Sequence, residues 1–249
     1  MVTTSTTTTT DGHAAAPSAH AGTFASGPTS ALLRMLQLSS SLCPIGAFAY
    51  SQGLETAIER GWVRSEAELT EWLAGIGAHA LARLDLPLLR ESYAAAIDAD
   101  EPRLVALGER LLASREAREL AEQERQLGSS LASLLVNLGV PAAERFRGHP
   151  SASYVVSFAI GAVHLGLPLE LAMTGYGFAW CEQQVSAAAR LVPLGHMAAQ
   201  RALSAVLADV PGWLGRAIEL PEAEIGSSTP GLAMSLAWHE TQYTRLFRS

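Results

Sequence analysis

The chain contains no lysine: all 17 of its basic residues are arginine. That absence excludes chemistry. A P-loop needs a lysine on the nucleotide phosphates, and Schiff-base and pyridoxal enzymes need a lysine amine. Charge is scarce as well, with 16% charged against 49% hydrophobic residues. The net charge of -7 and pI near 5.5 leave no basic face for a phosphate backbone, so nucleic acid is not an expected partner. Cys43 and Cys181 are the two cysteines. They form no CxxC pair and no disulfide framework, and a reduced, cytoplasmic setting is expected. No arginine precedes Arg34, and the opening MVTTSTTTTTDGHAAAPSAHAGTFASGP has neither a basic start nor an apolar run. It reads as a disordered low-complexity tail over residues 1–28 and not as a signal or transit peptide.

Runs of alternating β-branched residues are also missing, and helical spacing fills the space. Leu32, Leu33 and Leu36 recur at three- and four-residue steps until Pro44. Ser65-Glu66-Ala67-Glu68 is a capping box that opens a helix with Leu69, Trp72, Leu73, Ile76 and His79 on one face. Pro87 marks a helix start or kink. Asp100-Glu101-Pro102 is a helix start, and Ser114 is expected to open a long polar helix ending at Gly139. Further helices are expected from about Pro150, Pro168, Pro193 and Pro230. The fold class is therefore all-α, a single-domain helical bundle of roughly nine or ten helices over residues 29–249. Tyr154 to Leu169 carries no formal charge but is 16 residues long. A bilayer-crossing helix needs about 20, so two core helices joined by a turn are expected and no membrane span.

Candidate chemistry is thin. Ala49-Tyr50-Ser51-Gln52-Gly53 is similar to a nucleophile elbow, which would make Ser51 the nucleophile of a serine hydrolase. An elbow joins a strand to a helix, and no strand is in prospect. The histidines, His239 included, form no HxxxH or HExxH pair and have no cysteine at ligand spacing, so no metal site is assigned. His239 and Glu240, adjacent on a helix, diverge. Arg115, Glu116, Arg118, Glu119, Glu122, Glu124 and Arg125 read as a solvated, salt-bridged helix face. The chain closes on WHETQYTRLFRS. Continued as a helix, Leu232, Leu236, Tyr243 and Phe247 share a face with Leu246 at its margin, while Arg245 and Arg248 lie opposite. Such a stripe serves equally to pack on the chain's own core or to dock a partner.

Three stretches together resemble the UreF family of urease accessory proteins. In SLCPIGAFAYSQGLE the carriers are Pro44, Ile45, Gly46, Phe48, Tyr50, Ser51, Gly53, Leu54 and Glu55. In SREARELAEQERQLG they are Ser114, Arg115, Glu116, Arg118, Gln123, Gln126 and Gly128. In SSTPGLAMSLAWHETQYTRLFRS they are His239, Glu240, Arg245, Leu246, Phe247, Arg248 and Ser249. Cys43, Ala49 and Ala117 depart from the pattern. The resemblance implies an all-α protein, usually a homodimer, with no catalysis of its own. It implies that the chain bridges UreD (UreH in some organisms) and the GTPase UreG, and that the assembly inserts nickel into apo-urease with GTP hydrolysis. Nickel and GTP are then handled by the complex, and no cofactor is assigned to this chain. Partner-binding candidates on the matched stretches are Tyr50, Ser51, Gln52, Glu55, Glu116, Arg118, Gln123, Gln126, His239, Glu240, Tyr243, Arg245, Leu246, Phe247 and Arg248. The implied use of the C-terminal segment in docking to UreD favours an aromatic face that a partner completes.

Overall fold

The computed structural model describes residues 27–192 and 194–249. The expected low-complexity tail thus lies outside the described residues, except for Gly27 and Pro28. Eleven α-helical segments follow one another: α1 (Pro28–Leu38), α2 (Leu54–Glu59), α3 (Glu66–Ile76), α4 (Leu86–Ile97), α5 (Glu101–Ala113), α6 (Arg118–Asn137), α7 (Tyr154–His164), α8 (Leu169–Leu191), α9 (His196–Leu207), α10 (Val210–Glu219) and α11 (Pro230–His239). α3 and α4 are joined without a break by a π-helical stretch, Gly77–Asp85, so the chain forms ten helical rods. No strand occurs among the described residues. Buried apolar side chains from all eleven segments share one core, with α4, α6, α7 and α8 at its centre. The apolar run 154–181 resolves into α7, a turn and the first half of α8. None of the described helices is long and apolar enough to cross a membrane.

Local signals set several boundaries. Ser65 Oγ accepts the Glu68 amide at 3.2 Å and starts α3; Glu68 turns its carboxylate to the Arg64 amide, so only half of the capping box forms. Asp100 accepts the Arg103 amide at 3.0 Å and starts α5, with Pro102 in the first turn. Pro87 has no N–H for the carbonyl of Arg83. The amide of Gly226, from the loop before α11, reaches that carbonyl at 3.0 Å. The π-helical stretch passes Trp213 at Gly77, where a Cβ would overlap the indole ring.

Two expectations fail on the middle stretch. Ser114 closes α5, its hydroxyl donating back to the Arg110 carbonyl at 2.8 Å, and α6 begins four residues later at Arg118. The intervening turn swings Arg115 inward. Nor is the charged face wholly solvated: the Arg115 and Glu124 side chains are 8% and 7% exposed. Arg115 donates to Asp85 at 2.5 and 3.2 Å and to Glu124 at 2.7 Å. Glu124 spends its other oxygen on the amides of Tyr154 and Val155, in the first turn of α7, where a helix N-terminus favours an anion. Tyr176 donates to Asp85 at 3.2 Å. Burial alone would lower the Arg115 guanidinium, but Asp85 and Glu124 beside it hold it above its ordinary range. Burial, then the Asp85 carboxylate, pushes the Tyr176 hydroxyl far up, so it stays a donor. Replacing Arg115 by methionine leaves two buried carboxylates without their cation. The expected loss is about 3–5 kcal/mol, read as a shift of the urea unfolding midpoint at unchanged m-value.

Candidate docking site at the C-terminal strap

The C-terminal stretch is not the helix that its spacing predicts. α11 stops at His239, and residues 240–249 turn and run back across α2 as an irregular strap. The reason is competition for backbone donors. A continuing helix would bond each amide to the carbonyl four residues earlier. Here the Glu55 carboxylate takes the amides of Leu246 and Phe247 at 2.6 and 3.0 Å, both charge-assisted. The Arg248 amide donates to the Ala49 carbonyl at 2.8 Å. The main-chain oxygen of Ser249 accepts the amides of Ser51 and Gln52 at 2.6 and 3.0 Å and the Ser51 hydroxyl at 2.6 Å.

The stripe therefore splits. Phe247 is 4% exposed and sits under the Arg190 guanidinium, 4.3 Å from its ring centre, while Tyr243 is fully exposed. Burial of Phe247 by its own chain overturns the expectation that a partner must cover it. Tyr243 and Leu246, the latter 63% exposed, remain outward.

The floor is built by α2 and α6. Gln52 and Gly53 enter α2 with φ of +53° and +78°. At Gly53 a side chain would be strained and would also overlap the Ser235 hydroxyl of α11. Gln52 is held by its side-chain carbonyl, which accepts Trp180 Nε1 at 2.8 Å and Gln184 Nε2 at 3.1 Å. That tight turn aims Glu55 at the strap. His239, wholly buried at the end of α11, places Nε2 3.3 Å from Glu55 and Nδ1 2.6 Å from Glu119 of α6. Glu119 also holds Arg245 at 2.7 Å. Gln123, one turn further along α6, accepts the Ser249 hydroxyl at 2.7 Å.

The candidates accordingly fall into two groups. Tyr50, Ser51, Glu55, Gln123, His239 and Phe247 are buried, Gln52 is half-buried, and Arg245 is tied to Glu119; together they form the seat of the strap. Glu116, Arg118, Gln126, Glu240, Tyr243, Leu246 and Arg248 are exposed. Arg118 pairs with Glu122 on the α6 surface, Glu116 reaches Thr229, and Gln126 makes no hydrogen bond with the strap. The Arg248 guanidinium has no partner among the described residues. Glu119 and Ser249, named in the matched stretches, and Arg190 were not among the partner-binding candidates; their contacts span 126, 198 and 142 residues and leave no local signal.

Ser51 does not form an elbow. Among the described residues no strand precedes it and no imidazole bonds to it, and its hydroxyl is spent on Ser249 and on the Glu55 amide at 3.3 Å. Burial pushes both thiols up, Cys181 to about 12, so neither offers a ready thiolate at neutral pH. No group of three or more His, Cys, Asp or Glu side chains among the described residues is placed to hold a metal ion.

Glu55, Glu119 with Gln123, and His239 with Ser249 come from the three stretches that carry the resemblance. They meet at one place. A sequence model described as UreF matches residues 63–207. A urease accessory protein UreF of Chromohalobacter salexigens is 43% identical over 220 residues, 88% of this chain and 95% of that protein. The chain belongs to the UreF family. Urease accessory protein UreF of Marinomonas sp. is 40% identical over 218 residues, covering 88% of this chain and 94% of its own. That of Azoarcus sp. is 43% identical over 223 residues, covering 88% and 95%. Membership places this chain among urease accessory proteins.

Glu55→Gln removes the charge from the seat while keeping its shape. Amide hydrogen exchange at Leu246 and Phe247 should quicken roughly 10- to 100-fold, since each tenfold step is about 1.4 kcal/mol and bonds to a charged group are worth about 1.5–3. Amides in α7 should keep their rates.

Proposed function

We propose that this chain is a non-catalytic, cytoplasmic scaffold in urease maturation that bridges UreD (UreH) and the GTPase UreG and directs GTP-dependent nickel insertion into apo-urease. The observation that carries this reading is the strap. Its main chain is pinned by buried groups, yet Tyr243, Leu246 and Arg248 face outward without an intramolecular cover. An exposed aromatic, an aliphatic and an unpaired arginine on a pinned backbone are anchor types in a low-entropy presentation. The strap is thus the surface assigned to UreD. With no lysine for a P-loop, the nucleotide belongs to UreG, and nickel is cargo of the assembly. The chain's part is to hold its partners in a set geometry. Exposed Leu32, Leu33 and Leu36 of α1 support the homodimeric state, since a second copy of the same face would cover them.

Tyr243→Ala and Arg248→Ala should each leave thermal unfolding unchanged, because neither side chain is buried. Each should weaken retention of UreD in co-purification roughly tenfold or more. Full retention by the double variant would remove the strap from the interface. GTP hydrolysis by UreG, alone and with this chain and UreD, tests the coupling. Identical rates together with identical nickel transfer would exclude it.

A further inference from the structure

Three of the chain's five tryptophans gather at one surface position beside the end of α11. Trp62 lies 5.9 Å from Trp72 and 5.4 Å from Trp238, ring centre to ring centre. Beside them runs a groove of about 600 Å³ between α3 and the loop that leads into α11. That volume lies within the usual range of about 300–1,000 Å³ for ligand-sized clefts. Trp62 is 37% exposed at one end, and His79 stands at the rim.

The groove is acidic on the side of α3. The Glu68 carboxylate is taken by Arg64, but that of Glu71 has no partner among the described residues. No arginine side chain lines the groove. On the neighbouring ring, the Arg60 guanidinium rests 4.5 Å from the centre of Trp238, so this cluster already accepts one cation against an aromatic face. The opposite wall is Ser228, Thr229 and the first turn of α11. Among the described residues, the N–H and C=O groups of Ser227 and Ser228 have no hydrogen-bond partner, and Ser228 borders the groove. Unpaired main-chain donors and acceptors beside a cleft are open to hydrogen bonds from an incoming extended segment.

We propose that this groove seats an extended segment of a partner protein in which an arginine or lysine is flanked by apolar side chains. Its main chain pairs with Ser227 and Ser228, an apolar side chain lies on Trp62 and Trp72, and its cation meets Glu71. The chain's own residues 1–26 contain neither arginine nor lysine and do not supply that charge. None of the residues that seat the strap lines this groove, so the site is independent of the bridging role proposed above.

The test uses the full chain and two fluorescein-labelled octapeptides of equal charge, one alternating leucine and arginine, the other glycine and arginine. Fluorescence anisotropy should show saturable binding of the leucine–arginine peptide and roughly tenfold weaker binding of the glycine–arginine peptide. Trp62→Ala should weaken the first roughly tenfold, and Glu71→Gln about three- to fivefold. Glu71→Arg, at an exposed position, should weaken it further than Glu71→Gln and serves if Trp62→Ala does not fold. Equal binding of the two peptides, or binding indifferent to both Glu71 variants, would reduce the effect to attraction by a net charge of -7 and overturn the proposal. So would a failure to bind accompanied by a dimer, seen in sedimentation velocity, that Glu71→Arg breaks. The occupant would then be a second copy of the chain.

Discussion

A carboxylate taken out of water must find donors, and that requirement at Glu55 decides the path of the last ten residues. The residue is 7% exposed, and its two carboxylate oxygens meet the amides of Leu246 and Phe247 and a ring nitrogen of His239. Without the two amide donors the buried charge would be costly. With them, it holds the strap more firmly than a helix extension would, because each bond is charge-assisted. The end of α11, the burial of Phe247 and the outward turn of Tyr243 all follow from this one group and the Ser51–Gln52 amides that receive Ser249.

α6 serves two buried polar clusters from neighbouring sides of one helix. Glu119 and Gln123, four residues apart, face the strap, while Glu124 faces Asp85 and Arg115 and the start of α7. A close approach keeps this arrangement compact: at Gly128 of α6 a Cβ would overlap the backbone of Ser153, just before α7. The Ser157 hydroxyl donates to the Gly128 carbonyl at 2.8 Å across the same contact. Buried, hydrogen-bonded polar pairs on α6 hold α7 on one side and α11 with the strap on the other.

Much of the fold was legible in local signals. Ser65 and Asp100 cap helices where they stand in the chain, Pro102 lies in a first turn, and Pro87 follows the π-helical stretch. These are interactions within a few residues, and spacing reveals them. The charged run after Ser114 was misleading because Glu and Arg at helical spacing look alike whether solvent or another helix faces them. Arg115 lies in a turn and reaches Asp85, 30 residues away. The candidate site was legible as three stretches but not as one object. Buried Ser51, Glu55 and His239 and exposed Tyr243 and Arg248 have quite different parts in it.

By itself, the sequence determined that the described chain is built from helices, that it lacks the lysine of a P-loop, and that it belongs among the UreF proteins. Helical period, caps and amino-acid type are properties of neighbours along the chain, so they need no fold to be read. Only the tertiary structure decided which charges are buried, where the last helix stops, and which of the terminal aromatic residues faces water. Those outcomes depend on contacts such as Glu55 with Phe247, 192 residues apart, and Ser51 with Ser249, 198 apart. The free energy of burying a donor or an acceptor is set by the partner it meets there, and one-dimensional spacing carries no record of that partner.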